Sequence, residues 1–151
     1  MGLLTAQHTA WIGHEDPAIH VEITRRDIQK YSAATEQQQA RYLKGDEAPP
    51  MFVFNLFSAI PQLADLRQDG LARSTTGGPS LPLKRTMAGG TEVRQHRPIR
   101  PGDVLTGTRK IVDMFEKQGA SGPLIFTVRS LRVVDAADRL VLEEIQTGIS
   151  R

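Results

Sequence analysis

The sequence predicts an α+β fold in which a strongly curved antiparallel sheet wraps around a helix. Three observations lead there. Residues 20–66 carry helical patterning and one very apolar segment, "MFVFNLFSAIPQLADL" (51–66). After Gly90 the texture changes to long stretches rich in β-branched residues, separated by short turn sequences. A single apolar helix has to be covered, and a curved sheet is the economical cover in a chain of 151 residues, one domain by size.

Each element has its own justification. "HVEIT" (20–24) alternates as a short strand does. Thr24 followed by Asp27 resembles a capping box, so a helix starts at Arg25 and fades between Glu36 and Ala40. Ile28, Tyr31 and Ala34 or Thr35 share one face of it. "GDEAPP" (45–50) is a loop, because paired prolines cannot continue a helix. The apolar density of 51–66 predicts the buried helix, kinked or ended by Pro61. Residues 67–90, rich in Gly, Pro, Ser and Thr, read as a long functional loop. Strands follow at 91–99, 103–118, 123–136 and 139–150, joined by "RPGD", "GASG" and "DAAD" turns. In the third, Ile125, Thr127, Arg129 and Leu131 fall on one face. Short connections make these strands antiparallel neighbours, and an open sheet edge invites a second copy or a different subunit. The arm 1–19 is set apart from a single domain over 20–151.

Composition removes several classes of function. Lys and Arg number 19 against 17 Asp and Glu, a net charge of +2, and aromatics are only 5%. A pI near 9.2 suggests nucleic acid, but the basic residues are scattered and stacking platforms are few, so neither nucleic acid nor membrane is expected as a partner. With no cysteine there is no disulfide, thiolate metal site or cysteine nucleophile. No stretch approaches the ~20 apolar residues of a membrane span, so the expected location is cytoplasmic. His8, His14 and His20 match no metal-ligand spacing, and no metal is expected. His96 in "RQHRP" reads as an exposed strand position. The glycine pairs and "GASG" are turn chemistry, not phosphate cradles, and no Ser sits in a nucleophile elbow.

"PLKRTMAGGTEVRQHRPIRPGDVLTGTRKIVDMFEKQGASGPLIFTVRSLRV", with "HVEITRRDIQKYSAAT" before it and "VLEEIQTGISR" after it, resembles the N-terminal half of the MaoC-like dehydratases and hydratases. The resemblance implies a hot-dog fold, paired as a double hot dog. It implies an acyl thioester of coenzyme A or acyl carrier protein as substrate, no further cofactor, and reversible hydration of a trans-2-enoyl thioester to the R-3-hydroxyacyl product. Catalytic members carry a motif of Tyr, small residues, Thr, Gly, Asp, any residue, Asn, Pro, any residue, His. Here Tyr31 and Thr35 keep that pattern. Glu36 stands at Gly, Gln37 at the catalytic Asp, Gln39 and Ala40 at Asn-Pro, and Tyr42 at the His. Neither Gln nor a Tyr of ordinary pKa, about 10, is a general base near neutrality.

The resemblance therefore implies the substrate-shaping half of an enoyl-thioester hydratase or 3-hydroxyacyl dehydratase. Its isolated chain is inactive, and it dimerises with itself or with a catalytic MaoC-type subunit. No catalytic residue is assigned. Substrate contacts fall to Tyr31, Gln37, Tyr42, Phe52, Phe54, Gly89 and Gly90, and the coenzyme A phosphates to Lys84, Arg85, Arg97 and Lys117, with Arg100 beside them. Tyr31, Phe52 and Phe54 also fit a plain core role, and the basic residues a solvated surface. Two alternatives stand: a non-catalytic acyl-CoA-binding homodimer, and a hot-dog thioesterase using Glu36, Asp46 or Glu47 as base.

Overall fold

The computed structural model describes residues 2–54, 56–73 and 77–151. Five antiparallel strands form one sheet: β1 (Ile19–Glu22), β2 (Thr86–Gln95), β3 (Val104–Gly119), β4 (Gly122–Asp135) and β5 (Leu140–Ser150). Their spatial order is β1-β3-β4-β5-β2. The helices are α1 (Ala6–Thr9), α2 (Arg25–Ala34) and α3 (Ala40–Leu43), and Leu63–Asp65 makes one 3₁₀ turn.

The last three strands follow the sequence pattern within two residues, because alternation and turn chemistry agree there. Only Ala120 and Ser121 separate the paired Gly119 and Gly122 at the β3–β4 hairpin, and Gly122 takes φ +129°, open to glycine alone at no cost. A bulge between Ile111 and Asp113 bends the 16-residue β3. Residues opposite one another share a face. One row across the sheet is therefore Arg109, Leu131, Glu144 and Val93, and the next is Ile111, Arg129, Gln146 and Thr91.

α2 begins where the cap predicts. Thr24 Oγ1 accepts from Asp27 N at 3.1 Å and donates to Asp27 Oδ2 at 2.6 Å. Ile28 and Ser32, one turn apart, are wholly buried, and Tyr31 is half-buried beside them. The core joins Ile23 and Ile28 to Phe52, Val53, Phe57 and Ile99, and to Leu105, Leu131, Val133 and Leu142 of the sheet.

The helix predicted at 51–66 does not form among its described residues, and Asn55 lies outside them. Pro49 and Pro50 precede it, Met51 sits at φ +67°, and the amides of Phe52, Phe54 and Leu56 each reach back three residues, to Pro49 O, Met51 O and Val53 O. These are separate tight turns, too closely wound for the i→i−4 ladder. The apolar density was a correct sign of burial and a wrong sign of period: Phe52, Val53 and Phe57 are buried, while α2 gives Ile28 to the core and leaves most of its surface exposed. Phe57 lies on Gly107 of β3, where any Cβ would overlap its ring. β2 begins at Thr86, five residues before its predicted start, so the loop is 67–85; Ser74, Thr75 and Thr76 of it lie outside the described residues.

The arm before β1 is held on β3. Gly13 N donates to Ile111 O at 2.7 Å, Ile111 N to His14 O at 3.0 Å, Asp16 N to Arg109 O at 2.9 Å and Leu4 N to Glu116 Oε1 at 2.5 Å. The Glu116 carboxyl is held below its ordinary value by the amides of Leu4 and Leu3. At the other side of the sheet, the edge strand β2 exposes nine of its ten residues. No helix among the described residues is long and apolar enough to cross a membrane.

Candidate functional site

α2 ends in a turn whose shape its residue types do not favour. Thr35 Oγ1 donates to Tyr31 O at 2.8 Å, and Glu36 then enters the left-handed region at φ +54°. A side chain is strained there and glycine is not. Gln37 follows, its backbone N donating to Ser32 O at 2.9 Å and its Nε2 to Thr35 Oγ1 at 3.2 Å. The amide is thus folded back on its own turn. Tyr42, in α3, is buried, and Arg41 Nη2 donates to its hydroxyl at 3.0 Å while the guanidinium carbon lies 4.7 Å over its ring.

Of the residues assigned to substrate, Tyr31 and Phe52 are brought together edge to face, centroids 5.5 Å apart. Burial pushes the Tyr31 phenol above its ordinary value, further from any role as base. Tyr42 is buried outside the main core cluster, Phe54 is 45% exposed, and Gly89 and Gly90 form a bulge on edge strand β2. None of the seven is among the described residues that line the cavities at the arm, the loop 67–85 or the β3–β4 hairpin. Asp46 is paired with Arg25, and Glu47 with Arg41 at 3.6 Å and Arg100 at 3.8 Å, which ties up two of the three thioesterase carboxylates.

The basic residues divide likewise. Arg97 forks onto Asp103 at 2.9 and 3.1 Å and meets Asp135 at 3.5 Å; the Asp103 bond is the main cause of its raised pKa. Its charge is already answered within the fold. Lys84 donates to Ser80 at 3.0 Å, and Arg85, with Arg151, lines a cavity of about 400 Å³ at the β3–β4 hairpin. Lys117 lies 5.3 Å from the stacked rings of Phe115 and Phe126. Asp103, which holds Arg97, is fourteen residues from Lys117 along β3, roughly 45 Å of extended chain, so Arg97 does not share a patch with it.

Two cavities lie on the core-facing side of the sheet. One, of about 450 Å³, is lined by Trp11, His14, Ile19, Phe57 and Gly107, with Asp16 and Arg109 as its charged members. His14 Nε2 stands 3.8 Å from Asp16 Oδ1, which accepts from Gly77 N at 3.0 Å. Arg109 Nη1 meets Glu144 Oε1 at 3.4 Å, both buried, leaving Arg109 Nε and Glu144 Oε2 without a partner among the described residues. Sequence reasoning missed the His14–Asp16 pair, since nothing in the arm itself says that it folds onto β3. The charged sheet residues were partly legible: Arg129 alternates with Ile125, Thr127 and Leu131 on what proves to be the core side.

Comparison with known proteins agrees with this architecture. Residues 10–144 match the family model described as "FAS1-like, dehydratase domain region". The chain is 25% identical over 147 residues to the mesaconyl-C(4)-CoA hydratase of Chloroflexus aurantiacus, a match covering 97% of this chain and 52% of that protein; the chain thus spans about half its relative's length. The fold is similar to the C-terminally truncated HadBC (3R-hydroxyacyl-ACP dehydratase) complex of Mycobacterium tuberculosis, with TM-score 0.68, 16% identity, and coverage of 95% of this chain and 99% of that one. It is similar as well to the ChsH1–ChsH2 complex of the same organism, with TM-score 0.66, 15% identity, and coverage of 96% and 87%. With the antiparallel sheet, the structural likenesses and the matched residues in agreement, the chain takes the hot-dog fold of the MaoC-like dehydratases and belongs to the FAS1-like dehydratase-region family.

Proposed function

We propose that this chain is the acyl-thioester-binding half of an R-specific enoyl-CoA (or acyl-carrier-protein) hydratase or 3-hydroxyacyl dehydratase, completed by a catalytic MaoC-type subunit. The observation that carries the reading is the turn at Thr35, Glu36 and Gln37. Its backbone takes the left-handed step where catalytic relatives have glycine, while the side chain that follows is an amide hydrogen-bonded to Thr35. The loop is kept and the base is gone. Hydration adds hydroxyl to C3 and a proton to C2 of the enoyl thioester, so some group must take a proton from water and another deliver one. Gln37 has no titratable group for either task, and the Tyr42 hydroxyl is buried and accepts from Arg41.

Two further observations support a borrowed catalyst. The HadBC and ChsH1–ChsH2 structures are complexes of two named subunits, and the hydratase relative is long enough to hold a second domain of this size. The test is crotonyl-CoA hydration by the purified chain, alone and with a MaoC-type subunit carrying the full Tyr-to-His motif. Turnover should need both; turnover by the chain alone at an ordinary enzyme's rate would refute the reading.

A second reading rests on His14 and Asp16, an imidazole and a carboxylate lining one apolar cavity. At 3.8 Å they are not hydrogen-bonded, and the Asp16 oxygen nearest His14 is taken by Gly77 N. The geometry therefore ranks this reading second. Should the isolated chain turn over, H14Q must abolish that activity for the pair to be responsible.

A further inference from the structure

Next to the apolar cavity, across the Gly77–Gly78 backbone, lies a second one of about 400 Å³ with a different lining. It presents two arginines, Arg73 and Arg129, and three hydroxyl residues, Thr86, Thr127 and Ser150; among the described residues no Asp or Glu lines it. Arg129 projects from the core-facing side of β4, one row from Arg109. Arg109 has Glu144 as its ion-pair partner. Arg129 has none within 4 Å among the described residues: its Nη2 makes one long bond, 3.4 Å, to Gly77 O, and its buried Nε makes none. Burial pushes this guanidinium below its ordinary value; Asp16, beyond the Gly77 backbone, opposes that effect, and Arg109 adds to it.

A half-buried guanidinium without a counter-ion is poorly satisfied, and its planar fork is best answered by a carboxylate accepting two hydrogen bonds. The hydroxyls of Thr127 and Ser150 add donors to the same space. The two cavities lie on either side of the Gly77–Gly78 backbone on the core-facing side of the sheet, so an acyl chain held in the first ends near Arg129 where it passes that backbone. We propose that this second cavity binds a carboxylate at the far end of the acyl chain, which makes the substrate class the mono-thioesters of short dicarboxylic acids. The inference rests on the acyl-thioester reading above and narrows it.

Calorimetric titration of the full chain with glutaryl-CoA, pentanoyl-CoA and free coenzyme A tests it. Wild type should bind glutaryl-CoA at least tenfold more tightly than pentanoyl-CoA, which has the same chain length without the charge. R129Q should erase that preference and leave pentanoyl-CoA binding within twofold, which also shows that the variant is folded. R73Q, at a surface position, should reduce the preference in part. Equal binding of the two esters by wild type overturns the proposal and leaves the thioester reading standing. So does an R129Q variant that weakens all three ligands alike, since the cavity then serves a coenzyme A phosphate. Failure of wild type to bind any thioester overturns both.

Discussion

Gly107 and Phe57 show at the residue scale how tightly the covered side of the sheet is filled. The Phe57 ring occupies the space a Cβ would need on β3, so G107A forces either the ring or the strand aside. Overpacking of this kind destabilises by about 1–3 kcal/mol, and urea denaturation should show the midpoint of G107A falling with little change in slope. Asp135 makes a different prediction. Burial raises its pKa, but the Arg139 side chain, the amides of Arg139 and Ala137 and the Arg139 charge outweigh this and hold the carboxyl at about 2 against an ordinary 3.8. A depressed carboxylate stabilises the fold fully above its unfolded value, and that contribution is lost as pH falls through the folded one. Wild-type stability should therefore decline from about pH 4 towards pH 2, and D135N should flatten that part of the profile; an unchanged slope would mean the pairing contributes nothing. Arg97 belongs to the same cluster, which is why its charge reads as structural although its sequence setting suggested phosphate.

α2 was legible as an element because its start is local chemistry: Thr24, Asp27 and the spacing of Ile28 with Tyr31 need no partner to be recognised. Its end is less so. Glu36 holds a left-handed conformation that costs a non-glycine residue about 1–2 kcal/mol. E36G should recover about 1 kcal/mol in chemical denaturation, and E36V should lose stability, if this turn is a fixed feature of the loop. The apolar run 51–66 is the opposite case. Density of Phe and Leu reports burial, whereas the φ +67° of Met51 and the three-residue turns after it follow from where Phe52, Val53 and Phe57 must sit on the sheet. The β3–β4–β5 meander stands between the two: its strands were readable from alternation, while the Ile111–Asp113 bulge that bends β3 was not.

For the whole molecule, the outer edge of β2 is the consequential surface. Ten residues long and exposed along nearly its full length, it offers free backbone donors and acceptors to another strand. If a catalytic subunit pairs there, hydrogen exchange should show the amides of 86–95 gaining protection when that subunit is added, with those of β4 little changed. Protection confined to another face would move the interface away from this edge. The cavities of the core-facing side are also a property of the assembled molecule. His14 and Asp16 come from the arm, Gly77 from the loop, and Arg109 and Arg129 from neighbouring strands; residues so far apart in the chain carry no shared local signal.

Patterns of a few residues were enough for the fold class, the capped start of α2 and the long strands with their turns, because periodicity and capping are local. Packing alone settled that 51–66 turns instead of coiling into a helix, that Arg97 is neutralised at home, and that the arm closes over β3. It likewise left Arg129 half-buried with no ion-pair partner among the described residues, since burial depends on which distant segments come to cover a strand.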